Sequence, residues 1–592
     1  MVESFYTTEA FGTTVTDMKL SEDDAKALNI LNSSIKNIGN RFEVSLLWKP
    51  SAVRLPNNRK CAFQRLVSVE KRLLKNKDIA ERYTKAIEKY VLDGHARLLA
   101  STELEGIEGR VWYLPHHYVI NPNKPKKIRV VFDGAAKFEG TSLNDCLLRG
   151  PVLLANLVGV LIRSREAPIA VSGDIEAMYN QVRVRSLDQS FQRFLWRRPG
   201  STEAPKTYQM MIQVFGLISS PSSCLYALQH AANNHKKFRY VGGIIAKSFY
   251  VDNYIDSFET EELAIETVSQ VIKVLADGGF RLNQWVSSSR AVLSSIPASE
   301  RVHQTMNLDL DDLPVERSLG VLWDCQHDCF KIATRQPRTV RTKREMLAEI
   351  AGIFDPLGFL LPITTYAKVL FQQVWKMTRQ NLNDPSKREP LQWDEMLPDH
   401  MVKKWNLWRM ELMHLEDVRV PRCFHDQRFP SSTTRLELHV FCDASEVAFG
   451  ACCYLRMECE ENVDTKFVFA KSRVAPIKSL SIPRLELQAA VLATRITVSV
   501  KKELRLPIHS TLFWTDSEVV LKWLKSEHRR YSQFVHHRIN EITETSSNEE
   551  WRFISGRKNP ADDCSRGLRL TKLDNQHRWF TGPPFIQRPV SQ

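Results

Sequence analysis

The residues able to do chemistry in this 592-residue chain fall into two sets. The later set has four acids: Asp443 in "VFCDAS", Glu486 in "SIPRLELQAAVLATRI", Asp516 in "LFWTDSEVVLKWL" and Asp562 in "GRKNPADDCSRG". In-line cleavage of a phosphodiester by two divalent cations needs about four carboxylates round one small site, because ions roughly 3.5–4 Å apart share anionic ligands. The earlier set is smaller. Asp174 closes the apolar run "IAVSGD", and Asp252 lies in "FYVDNYIDS", where a β-hairpin can turn. A second carboxylate beside Asp252 would complete a two-ion site, and the chain has the amide Asn253 there. An amide oxygen can ligate but brings no net charge. A lone acid at a strand end is ordinarily a turn cap. A series in this order and spacing points to phosphoryl transfer.

For these acids to converge, strands and helices must carry them to common ends. "RLELHVFCDAS" alternates Leu436, Leu438, Val440 and Cys442 as a half-buried strand does, ending on Asp443. Glu486 stands one turn into a helix whose Ala489, Ala490 and Ala493 permit close approach to a sheet. Asp516 falls where a strand gives way to a helix; Asp562, in preference to its neighbour Asp563, follows the Asn-Pro-Ala turn. Earlier in the chain, "KIRVVFD", "IAVSGD" and "IIAKSFYVDN" are strand-like runs leading into acids, and "AFQRLVSVEKRLLKNKDIAERYTKAIEKYV" is amphipathic helix. "QVFGLISSPSSCLYALQ" is a Gly/Ser/Pro turn opening a helix. "SEDDAKALNILNSSI" reads as a helix capped by Ser21, with acids in its first turn. "EDVRVPRCFHDQRFPSSTTR" reads as a linker.

Composition narrows the partner. The net charge of +14 and pI of about 9.2 favour a polyanion such as nucleic acid. Eleven cysteines, an odd number with no CxxC pair, fit reduced thiols inside a cell. The longest apolar run, "PVLLANLVGVLI", is too short for the roughly 20 residues of a spanning helix. The first residues lack the basic and apolar regions of a signal peptide. No membrane-spanning segment is expected on these grounds.

"RFEVSLLWKP", "YLPHHYVI", "KIRVVFDGAAKFEGTSLNDCLLRGP", "GDIEAMYNQVRV", "FGLISSPSSCLYAL", "GGFRLNQWVS" and "EIAGIFDPLGFLLP" follow one another in this order. From about residue 40 onward the sequence resembles the reverse transcriptase–RNase H region of Pao/BEL-type long-terminal-repeat retrotransposon polyproteins. The resemblance implies an α+β right-hand polymerase with palm, fingers and thumb, followed by an α/β RNase H-like domain. On that plan 48–290 are fingers and palm, 291–430 thumb, connection and linker, and 431–575 the RNase H-like domain. Residues 1–47 are then a polar polyprotein linker and 576–592 a C-terminal tail.

The implied activity is RNA- and DNA-templated DNA synthesis coupled to cleavage of RNA in RNA–DNA hybrids. Two Mg2+ ions, or Mn2+ in their place, would serve each site. Asp174 and Asp252 become polymerase metal ligands, with Asn253 where the family has Asp; Asp443, Glu486, Asp516 and Asp562 become nuclease ligands. Arg129, with Lys127 or Lys126 nearby, is a candidate to hold the triphosphate, because a guanidinium pairs phosphate oxygens bidentately. Phe215 and Gly216 belong to the turn beside it, and Tyr179 would exclude a 2′-hydroxyl by its volume. Expected partners are RNA template, DNA primer, RNA–DNA hybrid and dNTPs, with neighbouring protease and integrase domains or a second copy of the chain. No membrane partner is expected. The expected location is intracellular, in a cytoplasmic virus-like particle and in the nucleus. The alternative is a degenerate or domesticated nucleic-acid-binding protein with an inactive polymerase site and a surviving nuclease.

Overall fold

The computed structural model describes residues 20–589 except 52–53, 122–123, 307, 309–310, 333–338, 381–387, 425–428, 430–432, 527–530 and 571–572. Helix α1 (Glu22–Ser34) begins at Ser21, whose hydroxyl accepts from the Asp24 N–H, and acids 22–24 suit the positive end of its dipole. Ala27 and Leu31, four apart on this polar helix, are fully buried in the core of the first half, together with Phe42 and Val44. The described part of the segment expected to be a linker, 20–47, is therefore built into the fold. Two apolar positions on one helix face were enough to dock it.

A hairpin follows, β1 (His116–Asn121) with β2 (Lys124–Phe132). Helix α2 (Leu157–Arg163) leads into β3 (Ile169–Ile175), the centre of an antiparallel sheet. With β4 (Phe249–Tyr250), β5 (Asn253–Phe258) and β6 (Leu282–Ser287), the strand order is β4-β5-β3-β6. The expected strand "IIAKSFYVDN" divides here: Val241–Ser248 is helix and only Phe249 and Tyr250 precede the turn as strand. An apolar run this short fits either state. Val241 and Ile245, one helical turn apart, both bury against the core. Similarly, the single long amphipathic run becomes two helices, Arg59–Leu73 and Lys77–Leu92, the second capped by Asn76.

In the second half, β7 (Val315–Ser318), β8 (Val321–Asp324) and β9 (Cys329–Lys331) form a small sheet completed by β10 (Arg419–Pro421), with helix α3 (Leu361–Trp375) between them in sequence. The main sheet comprises β11 (Arg435–Ala444), β12 (Ala448–Cys459), β13 (Asn462–Val474), β14 (Ser510–Thr515) and β15 (Trp551–Phe553), ordered β13-β12-β11-β14-β15. β11 pairs antiparallel to β12 and parallel to β14. Helix α4 (Ile482–Glu503) lies across β11 and β12, and Ala489, Ala490 and Ala493 are completely buried there. Small side chains let the helix axis approach the sheet.

The expected half-buried strand is buried on both faces beyond Arg435. On its polar face Glu437 accepts from Ser510 and pairs with Arg456, while Arg456 also donates to the carbonyls of Ile586 and Arg588. So the expected C-terminal tail, over 576–589, is part of the core. Its short helix α6 is preceded in sequence by α5 (Asp562–Arg566) and spans Arg578–Thr581. Trp579 in α6 is fully buried, and its indole N–H donates to the Phe359 carbonyl.

The expected linker before β11 also carries structure. Arg422 is completely buried: it pairs bidentately with Asp328 at 2.6 and 2.7 Å and donates to the carbonyls of Ser164, Ala167 and Pro168. A guanidinium offers five donors, so one side chain can satisfy several chain ends at once. Arg505, just beyond α4, reaches Glu166 and, at 2.9 Å, Asp256 on β5. The carbonyl bonds of Arg422, and the pairs of Arg505 with the buried acids Glu166 and Asp256, fasten the second half to the segment 163–168 and to the strand that begins at Asn253.

Candidate functional site

Register explains the first convergence. β11 and β14 run parallel with Cys442 opposite Thr515, so the next residues, Asp443 and Asp516, emerge side by side at the same sheet end. Glu486, the fifth residue of α4, comes down from the covering helix. Ligand oxygens of Asp443, Glu486 and Asp516 all lie within 4.8 Å of one another. Among the described residues this is the one group of three or more acidic, His or Cys side chains so placed. Glu486 Oε2 and Asp516 Oδ1 are buried without a hydrogen-bond partner. Burial pushes the Glu486 carboxyl up to about 9, with the charges of Asp443 and Asp516 adding to it. Burial likewise raises Asp443 to about 7, with Asp516 and Asp562 contributing, and raises Asp516. Like charges and orphaned oxygens in one buried site are unfavourable on their own. Hard divalent cations match an all-oxygen donor set of this kind, so the residues present fit a metal centre.

Asp562 stands beside the triad. It adds to the charge felt by Asp443 and Asp516, and its carboxylate pairs with Arg566 one turn along α5. Asp563 is structural, held bidentately by Arg578 at 2.6 and 2.9 Å. Sequence reasoning missed two supports. The Asn559 amide donates to the Cys442 carbonyl at 2.9 Å, tying the loop to the strand residue before Asp443. The Ser565 hydroxyl donates to Asp443 Oδ2. Their signal was the run of polar side chains in "NPADDCSR", read only for its acids.

The other set lies at the end of β3 and β5. Asp174 is directly opposite Asn253, and the Ile175 N–H donates to the Asp252 carbonyl at 2.8 Å. Tyr250 pairs with Asn253, leaving Val251 and Asp252 as a two-residue hairpin loop. Such loops require a positive φ at their first central residue, and Val251 has φ 60°. For a β-branched side chain this costs on the order of 1–3 kcal/mol. Asn253 Nδ2 donates to Asp252 Oδ1 at 2.9 Å, so the amide presents its N–H to the acid.

Beside this turn, Tyr179 packs on Phe215 with ring centroids 4.5 Å apart, and the Arg129 guanidinium lies 4.9 Å from the same Phe215 ring. Burial pushes the Tyr179 phenol up to about 12, and the Asp252 carboxylate adds to the shift. Gly216 has φ 118°, and a Cβ there would sit 1.7 Å from the Phe132 carbonyl oxygen, so only glycine fits. Tyr179, Phe215, Gly216 and Arg129 thus come together near Asp252. Lys127 is on β2, with its side chain outside the described residues, as is that of Lys126.

Residues 342–517 match the family model described as the Pao retrotransposon-like RNaseH-like domain. The fold is similar to that of the foamy viral protease-reverse transcriptase dRH in complex with double-stranded DNA, with a TM-score of 0.51 and 14% identity over 93% of this chain and 81% of that one. Structures of the foamy viral protease-reverse transcriptase with double-stranded DNA and with an RNA/DNA hybrid give TM-scores of 0.48 and 0.49, at 14% and 13% identity. They cover 94% and 93% of this chain and 97% and 62% of theirs. A search of curated proteins returned no match. The family match places a Pao retrotransposon-like RNaseH-like domain over 342–517, and the likeness to the foamy viral structure is one of fold.

Proposed function

We propose that this Pao-type retroelement region acts on template–primer and RNA–DNA hybrid through two separate metal centres, of which the nuclease centre is complete and the polymerase centre is one charge short. In this reading the sheet β4-β5-β3-β6 is the palm, the β1–β2 hairpin and its helices are the fingers, and residues 291–430 are thumb and connection, the part from 342 onward lying within the RNaseH-like family match. The observation that carries the proposal is the Asp443–Glu486–Asp516 triad with its two unpartnered buried oxygens.

Asp443, Glu486 and Asp516, joined by Asp562, would hold two Mg2+ or Mn2+ ions, as Asp174 and Asp252 would in the polymerase. Such ions, when bound, supply a Lewis acid and a lowered pKa for attacking water. The chain's own part is positional. Asn559 and Ser565 keep Asp443 at the sheet end, and α4 holds Glu486 over it with water largely excluded. On the polymerase side Arg129 would take the triphosphate of a dNTP, and Tyr179 on Phe215 would stand against its sugar.

A second reading, a degenerate copy with a silent polymerase, draws on one bond. Where a metal site needs a second acid, Asn253 donates to Asp252 and occupies one of its oxygens. The experiment for the nuclease is cleavage of the RNA strand of a hybrid with Mg2+, using the full chain. An excised 431–575 fragment would lose the buried Trp579 and the covering helix α3. Cleavage dependent on divalent metal supports the nuclease reading; none from a folded chain would contradict it.

A further inference from the structure

Phe215 is the half-buried ring that both Tyr179 and Arg129 contact, and its height depends on the turn 215–218. That turn is fastened from two sides. The Phe132 N–H donates to the Phe215 carbonyl at 2.8 Å. Asn144, in "SLNDC", uses both ends of its amide: Nδ2 donates to the Gly216 carbonyl at 3.1 Å and Oδ1 accepts from the Ile218 N–H at 3.0 Å. The Asn144 N–H itself donates to the Gly134 carbonyl at 2.9 Å, two residues beyond the strand that carries Arg129. The fit is close: a Cβ on Gly134 would lie 2.8 Å from Asn144 Oδ1 and 2.9 Å from the Gly216 carbonyl oxygen. Leu143 and Leu147, both buried, anchor the segment independently of the amide.

We infer that Asn144 is a positioning residue for the incoming deoxynucleoside triphosphate: its amide sets the turn 215–218, and through it the Phe215 surface shared by Tyr179 and Arg129. The inference rests on the polymerase reading above. Asparagine suits this place because it donates and accepts at once from a short, planar group. Aspartate has the same shape, keeps the bond from Ile218 and turns the donor to Gly216 into a repelling oxygen. The proposed role runs through Phe215, Tyr179 and Arg129, so the expected effect is on nucleotide affinity and not on metal or nucleic-acid binding.

The test uses the full chain bound to a dideoxy-terminated template–primer with Mg2+, and titrates the next correct dNTP for retention of the complex under heparin challenge. No bond is formed, and the titration is repeated in the Asn253→Asp background. Asn144→Asp is expected to raise the half-maximal dNTP concentration at least about tenfold, corresponding to 1.4 kcal/mol. Template–primer affinity without dNTP and the melting temperature are expected to stay close to those of the unsubstituted chain. Asn144→Ala, which removes both contacts without adding charge, is expected to act in the same direction. An unchanged dNTP requirement in the variants overturns the inference alone, as does an equal loss of template–primer binding. Absence of any dNTP effect in the unsubstituted chain and in Asn253→Asp overturns the polymerase reading together with it.

Discussion

The two carboxylate sites are built alike and end in opposite states. Each sets acids at the end of adjacent strands, β11 with β14 in one case and β3 with β5 in the other. The nuclease-side acids crowd together, with two buried oxygens unsatisfied and carboxyl pKa values of about 7 and about 9. At the β4–β5 turn the neighbour of Asp252 is the amide Asn253, whose N–H donates to the Asp252 carboxylate. The first arrangement is strained until a cation arrives. The second is comfortable without one. On the proposed reading, the amide at 253 leaves the first-half site with less reason to recruit a cation.

The largest expected difference comes from removing an acid where the site is complete. Asp443→Asn should reduce hybrid cleavage at least about 10⁴-fold, over 5 kcal/mol of barrier, and leave primer extension as it was. Retained cleavage by that variant would show that the triad is not the nuclease. Next in size is the joint between the two halves. Arg422→Ala strips their donor from the buried carbonyls of Ser164 and Ala167 across the joint, and each buried acceptor left unsatisfied costs about 1–3 kcal/mol. Denaturant unfolding should then show two transitions, one per half, where the unsubstituted chain shows one. A loss below about 1 kcal/mol would mean that the halves are held by other contacts.

Acid should separate the halves further. His116 in the first half is fully buried against Tyr83 and the Leu195 carbonyl, and burial lowers its pKa to about 4 from 6.5. The neutral ring therefore contributes stability that is present above pH 6.5 and is lost as pH falls toward 4. Between pH 7 and 5 the loss is about 2 kcal/mol. In chelator the nuclease carboxyls run the other way. Their raised pKa values favour the folded, protonated form below the ordinary carboxylate range, and this stability is lost as pH rises through about 7 and about 9. Unfolding of the Arg422→Ala chain at pH 7 and 5, with and without His116→Gln, checks the sign. A first-half transition whose pH dependence survives His116→Gln would assign the effect elsewhere.

Strand ends and their acids were legible because they rest on short local patterns. Ser21 caps its helix and "VFCDAS" is a strand running into Asp443, as alternation and capping chemistry predict. What escaped depends on distant partners. Nothing near "IIAKS" decides between helix and strand; packing against Ser220–Asn233 does. The linker and tail readings failed because Arg422 and Trp579 look like surface residues until their partners at 164–168, Asp328 and Phe359 are in place. Asn144 and Ser565 were passed over for the same reason, since an amide or hydroxyl gains a role only from what it bonds. Asn253 was legible as a missing charge, but its bond to Asp252 was not.

The central claim is that one missing charge at residue 253 separates the two sites, and it is tested most directly by Asn253→Asp. Primer extension and hybrid cleavage should be measured with Mg2+ on the same preparation of the unsubstituted chain and the variant. The second carboxylate removes the N–H from Asp252 and restores a ligand, so extension should rise at least about tenfold, or 1.4 kcal/mol of barrier, with hybrid cleavage unchanged. Extension by the unsubstituted chain as fast as by Asn253→Asp would contradict the account, because the amide would then serve the metal site as well as the acid.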